Sequence, residues 1–299
     1  MNEGATLIEY GTPIDAQAMV TPPDVSSLEL EPGHPGLGDV YYVRRREQLF
    51  DLCRRHRMLR LGPPLIEYTP EETRIWREVS PKLDELHLRH ASQLYLDGKR
   101  ELAITRDEIP QLRTISERLQ RETDIHLVPA EGALPYRTFY EYIAERGFPV
   151  TQFLRHGSHP EFTPEPDMIH DCLGHVPPLM NQDYAELLTL IGKAASTTTH
   201  GEHVLALKRF SWFSIEFGLI EETGEMKVFG AGILSSTGEI PYSLNSPDVV
   251  RRPFVTDVVI ETDYDPSRMQ DHLFIAPSLQ FLRRELESLL RRFDLAHLI

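Results

Sequence analysis

The stretch 203–218 constrains the fold more than any other part of this chain. Val204, Leu207, Phe210, Phe213 and Phe217 recur along it at spacings that leave almost no side of a helix polar. A helix that is apolar all round is stable only where neighbours cover every face, so the segment predicts a helix at the centre of a globular fold. Glu216 lies within it, among Trp212, Phe213, Ile215 and Phe217. An ionised carboxylate in such surroundings is costly, and either a core arginine or a divalent metal ion would offset the cost.

A second segment bears on that choice. Thr163-Pro-Glu-Pro-Asp-Met-Ile-His-Asp-Cys-Leu-Gly-His175 carries two histidines five residues apart. At about 100° per residue they differ by roughly 140° around an α-helix, so this is not the i, i+4 zinc pair of a metalloprotease. Spacing predicts that His170 and His175 meet at one ion only if the helix ends between them, with Gly174 as the breaker and Pro177-Pro178 forbidding continuation. With Glu216 they then form a two-imidazole, one-carboxylate set with open positions, as in non-haem iron(II) enzymes. Zinc accepts the same ligands. From these residues alone an iron site, a zinc site and a set of structural core residues all remain open.

Composition removes other classes. Lys and Arg total 31 against 46 Asp and Glu, a net charge of -15, which repels phosphate backbones and argues against a nucleic acid partner. The basic run Arg44-Arg45-Arg46 with Arg54-Arg55 reads as a solvated helix face. Cys53 and Cys172 are the only cysteines, so neither a disulfide framework nor a cysteine-based zinc site is expected. No stretch reaches the roughly 18 apolar residues of a membrane helix, and the N-terminus lacks the charge and apolar run of a secretory signal. A cytoplasmic protein is expected.

Residues 1–32 hold Pro13, Pro22, Pro23 and Pro32 with little periodicity and read as an extended or partly disordered arm, leaving 33–299 as a single domain. Thr69, Pro70 and Glu72 predict a helix start with a capping box, followed by a buried stripe of Trp76, Val79, Leu83, Leu86 and His90. A helix after Pro110 turns Leu112, Ile115 and Leu119 inward, and another spans about 136–146 before Gly147. Further helices are expected over 183–195, capped by Asp183, and over 278–293. Strands are expected at 226–229, 255–261 and 271–276. The fold class is mostly α with a small β-sheet near the C-terminal third.

Collinear motifs then carry a family resemblance over about 34–276. They include His34-Pro-Gly, Glu67-Tyr68 with Glu71-Glu72 and Trp76, Ile109-Pro110-Gln111-Leu112, Arg155-His156-Gly157-Ser158, Thr163-Pro164-Glu165-Pro166-Asp167, Leu173-Gly174-His175-Val176-Pro177, Trp212-Phe213 through Glu216-Phe217-Gly218, and Gly230-Ala231-Gly232-Ile233-Leu234-Ser235-Ser236. The chain resembles the tetrahydropterin-dependent aromatic amino acid hydroxylases, and most nearly their bacterial, phenylalanine-hydroxylating members. The resemblance implies a single hydroxylase-like catalytic domain over 33–299, with His170, His175 and Glu216 as iron(II) ligands. It implies Arg155, oriented by Asp167, on the substrate carboxylate, with Thr163, Gly232 and Ser235 along the amino acid backbone. Pro166, Trp212 and Phe217 would wall the aromatic ring. Gly132, Leu134, Phe139 and Asp171 would bind the pterin, tetrahydrobiopterin or a relative, with Phe139 stacked on its ring. The implied reaction hydroxylates L-phenylalanine with dioxygen, the pterin supplying two electrons. A zinc hydrolase and a non-catalytic binding protein are the readings set against it.

Four departures from the family pattern stand out. Ser211 replaces a usual tyrosine, which predicts a larger, wetter pocket there and makes meta hydroxylation an alternative outcome. Cys172 lies beside the expected ligands and is a second candidate for altered regiochemistry. Pro135-Tyr136 replace small polar residues of the pterin loop, and Lys208 replaces a small residue. A monomer or homodimer is expected.

Overall fold

The structure is a computed structural model that describes residue 30 and residues 32–132, 134–161, 163–266 and 268–299. The predicted N-terminal arm thus lies almost wholly outside the described residues.

In chain order the elements are α1 (Val40–Met58), α2 (Pro70–His90), α3 (Gln93–Glu101), α4 (Leu112–Thr123), β1 (His126–Pro129), α5 (Tyr136–Ala144), β2 (Gly147–Val150), α6 (Met168–His170), α7 (Gln182–Thr197), α8 (Gly201–Ser211), β3 (Leu219–Glu222), β4 (Glu225–Val228), α9 (Ala231–Leu234), α10 (Glu239–Asn245), β5 (Val250–Pro253), α11 (Thr256–Val259), β6 (His272–Ala276) and α12 (Leu279–Arg292). Helices dominate. One sheet has the order β4-β3-β6-β5, antiparallel at β3–β4 and otherwise parallel, and β1 and β2 form a separate parallel pair.

The apolar segment does occupy the centre. Val204, Leu207, Phe210 and Phe213 are all at most 1 % exposed, and α7, α11 and α9 pack around α8 and its extension. The predicted capping box on α2 forms: Thr69 Oγ1 accepts from Glu72 N and Glu72 Oε2 accepts from Thr69 N. The stripe behind it turns at its end, since His87 rather than His90 is buried. Helix α7 is capped by Asn181, whose Oδ1 accepts from Tyr184 N, not by Asp183.

The segment 255–261 is not a strand. Its β-branched run reads as β, but only Thr256 and Val259 are buried, three apart on one face of a short helix, and the strand lies earlier at β5. The basic run is only partly solvated. Arg46 is buried, its guanidinium 4.3 Å from the Phe153 ring centre and paired with Glu165.

Candidate metal centre

His170 and His175 are brought together by a wider helix, not by a helix that ends. After α6 the backbone continues as a π-helical turn over Asp171–His175, closed by Val176 N donating to Asp171 O at 3.0 Å. In a π turn residues five apart are one turn apart, so the two imidazoles project to one side, edge to face with ring centres 4.9 Å apart. Gly174 is needed for packing: a Cβ there would lie 2.7 Å from the Ala231 carbonyl oxygen. The same device recurs after α8. Trp212–Glu216 form a second π turn, closed by Phe217 N donating to Trp212 O at 2.7 Å, and Glu216 is its last residue.

Three donor atoms face one another across the two turns. His170 Nε2 and His175 Nε2 are 3.1 Å apart, and they lie 3.4 and 3.1 Å from Glu216 Oε1 and Oε2. Among the described residues these three form the group of His, Cys, Asp or Glu side chains close enough to share an ion. Nitrogen and oxygen ligands about 2.1 Å from a common ion lie about 3.0–3.4 Å apart, so the donors fit a divalent metal. Burial alone would raise the Glu216 carboxyl, but the two imidazoles outweigh it and hold the group below its ordinary range. Burial, against the pull of Glu216, brings His170 down to about 4 and keeps it neutral. Its tautomer follows from Ser235, whose hydroxyl donates to Gly232 O at 3.2 Å and lies 3.0 Å from His170 Nδ1. The serine proton being used, Nδ1 carries hydrogen and Nε2 is left as a lone pair for the ion.

The residues expected to bind pterin gather beside these donors. Gly132, Leu134, Phe139 and Asp171 line one cleft with His170, His175 and Pro166. Phe148, from β2, backs both Phe139 and His175 at ring separations of 6.1 and 5.1 Å. Asp171 accepts from Thr151 N at 2.6 Å and Thr151 Oγ1 at 2.8 Å, while burial pushes its carboxyl up to about 7.

Arg155 and Asp167 form a two-pronged pair, Nε to Oδ2 at 2.9 Å and Nη2 to Oδ1 at 2.8 Å, and Asp167 also accepts from His170 N. One buried carboxylate thus fixes both the guanidinium and the start of the metal turn. Thr163 Oγ1 donates to Glu165 O at 2.6 Å, closing a local turn, and among the described residues no hydrogen bond joins it to Arg155. Trp212 lies 4.6 Å from Phe217 and stacks on Tyr264 at 4.2 Å, and Gly232 lies against Phe217 and Glu216.

The departures differ in where they lie. Ser211 is buried and lines a small cleft with Tyr136, Tyr140, Lys208, Trp212, Glu216 and Tyr264. Cys172 is fully buried in the main core cluster and borders neither the cleft above nor the smaller one beside Trp212 and Glu216, because its side of the π turn faces the core. The other two departures meet, with the Lys208 ammonium 4.5 Å from the Tyr136 ring centre. Tyr140, Tyr264 and Thr151 were not among the expected site residues.

A helical domain that brings two imidazoles and one carboxylate within reach of a single ion beside a cleft has the form of a mononuclear metal enzyme. Residues 19–297 match the family model described as biopterin-dependent aromatic amino acid hydroxylase, and the chain belongs to that family. It is 41% identical over 215 residues to the chloroplastic phenylalanine 4-monooxygenase of Pinus taeda, covering 71% of this chain and 60% of that protein. It is 35% identical over 272 residues to the tyrosine 3-monooxygenase of Bos taurus, covering 89% and 54%. The chain therefore spans a little over half the length of these relatives. A crystal structure of phenylalanine hydroxylase from Chromobacterium violaceum with bound iron(III) and 7,8-dihydrobiopterin superposes with a TM-score of 0.71 at 30% identity, covering 76% of this chain and 84% of that one. Among the described residues no helix is long and apolar enough to cross a membrane.

Proposed function

We propose that this protein is a monooxygenase that hydroxylates L-phenylalanine to tyrosine with iron(II), dioxygen and a tetrahydropterin. The convergence of His170, His175 and Glu216, with the two histidines bordering the cleft lined by Gly132, Leu134 and Phe139, carries this reading. Those three side chains would hold the iron. Bound there, iron and pterin would supply the oxidising chemistry and its electrons. The chain's own part is positioning and exclusion of water. Phe139 offers the pterin a flat face. Arg155 has two N–H groups committed to Asp167 and keeps others on Nη1 and Nη2 for a carboxylate. Pro166, Trp212 and Phe217 wall the ring, and Thr163, Gly232 and Ser235 lie along the amino acid backbone.

Attack is assigned to the para carbon. The Pinus taeda relative is a phenylalanine 4-monooxygenase, which supports the para position over the meta attack that lost bulk at Ser211 would favour. Asp171, the carboxylate between the two histidines, accepts from Thr151 and lacks the spacing of the general base in an HExxH zinc hydrolase. Monomeric or homodimeric action in the cytoplasm belongs to the same proposal; free, buried Cys53 and Cys172 support the reducing compartment.

Oxygen uptake tests the reading. Iron(II)-loaded protein should consume dioxygen only when both phenylalanine and a tetrahydropterin are present, and zinc-loaded protein should consume none. Pterin-independent uptake, or hydrolytic activity with zinc, would refute it.

A further inference from the structure

Behind the metal turns lies a buried polar cluster that the proposed reaction does not use. Tyr95 and His87 are at most 1 % exposed and Lys99 is 8 % exposed. Lys99 pairs with Asp84 and its ammonium lies 3.1 Å from His87 Nδ1. His87 Nε2 lies 2.6 Å from Leu234 O, and Tyr95 donates to Leu173 O at 2.6 Å.

Those two carbonyls need a partner for reasons the local sequence fixes. The Leu173 carbonyl would be met in an α-helix by the N–H of residue 177 and in a π-helix by that of residue 178, but both are proline and have none. Val176 N is already used by Asp171 O. Leu234 closes the short helix α9, whose last carbonyls have no intrahelical donor. A buried carbonyl without a partner is costly, and each is supplied by a side chain from α2 or α3. A lysine ammonium only donates, so His87 Nδ1 accepts from it and Nε2–H points at Leu234 O. Burial and the Lys99 charge hold this imidazole well below its ordinary pKa, so it stays neutral.

The two carbonyls belong to the metal site. Leu173 lies in the π turn two residues before His175. Leu234 immediately precedes Ser235, the partner of His170 Nδ1. We propose that His87 and Tyr95, braced by Lys99 and Asp84, are positioning residues that hold the 171–175 turn and the end of α9 in register and so set metal affinity. Helix α3 is suited to this, because Gly98 lets it lie directly on the Pro177 carbonyl just after the turn.

The inference rests on the proposed metal centre, and a single titration separates the two. Cobalt(II) would be titrated against a chelating dye into the metal-free wild type, Tyr95→Phe and Lys99→Met, with visible absorption recorded. The wild type should bind one cobalt. Both variants should bind about 10–100-fold more weakly with altered visible bands, whereas Leu286→Ala, a core variant on α12, should lose thermal stability and keep its affinity. Wild-type affinity and spectrum in both variants, with only a lowered Tm, would overturn the positioning role. A wild type that binds no cobalt would overturn the metal centre itself.

Discussion

Ser211 with Tyr140, and Lys208 with Tyr136, are two exchanges read from opposite sides of one cleft. Taken singly, Ser211 implies a hole and Lys208 an intruding charge. Taken in pairs, Ser211 and Tyr140 line one small cleft, and the ammonium rests over a tyrosine face, a favourable placement for a cation. The account makes these side chains interdependent. Ser211→Tyr alone should overpack the site and lose about 1–3 kcal/mol, whereas adding Tyr140→Leu should restore most of it. Denaturant midpoints for the two single variants and the double variant give the coupling, and additive effects would show that the two residues do not share the space. The three donor atoms were legible residue by residue because a carboxylate amid aromatics needs a counter-charge. The backing of Asp171 by Thr151 was not, since the contact spans 20 residues without a local signal.

At the scale of elements, legibility followed how local the cause is. The start of α2 could be read because its cap, proline and reciprocal glutamate lie within four residues. Thr69→Ala should therefore cost about 1 kcal/mol, measured as a lower unfolding midpoint with an unchanged m-value. The π turns could not be read. A 3.6-residue period predicts that His170 and His175 diverge, and the extra residue per turn is held in place by tertiary contacts, among them Gly174 on the Ala231 carbonyl. The β1–β2 pair was missed for a related reason: each strand is four residues, and β2 includes Pro149. The error at 255–261 has the opposite origin, a strong β-branched composition overridden by which two residues meet the core.

At the scale of the whole molecule, α1 is joined to the substrate side by ionic contacts and by a small apolar cluster of Leu49, Phe50, Ile66 and Phe153, separate from the main core. Glu165, two residues before Asp167, lies against Arg46 and 3.3 Å from His34. Burial would raise its carboxyl, but His34 and Arg46 prevail and hold it below its ordinary value of 4.5. Folded chain thus keeps Glu165 ionised to lower pH than unfolded chain does. Its contribution is complete above the ordinary glutamate value and is lost as pH falls through the folded one. Glu165→Gln should flatten the acid limb of the stability profile, and an unchanged limb would remove Glu165 as its cause. Metal, pterin and aromatic walls are proposed to act together on one ring carbon of phenylalanine. Chromatographic separation of tyrosine isomers, after incubating the iron(II)-loaded protein with L-phenylalanine, a tetrahydropterin and air, tests it most directly. Para-tyrosine in proportion to pterin oxidised is the predicted result. Meta-tyrosine as the main product, or pterin oxidation with phenylalanine untouched, would contradict it.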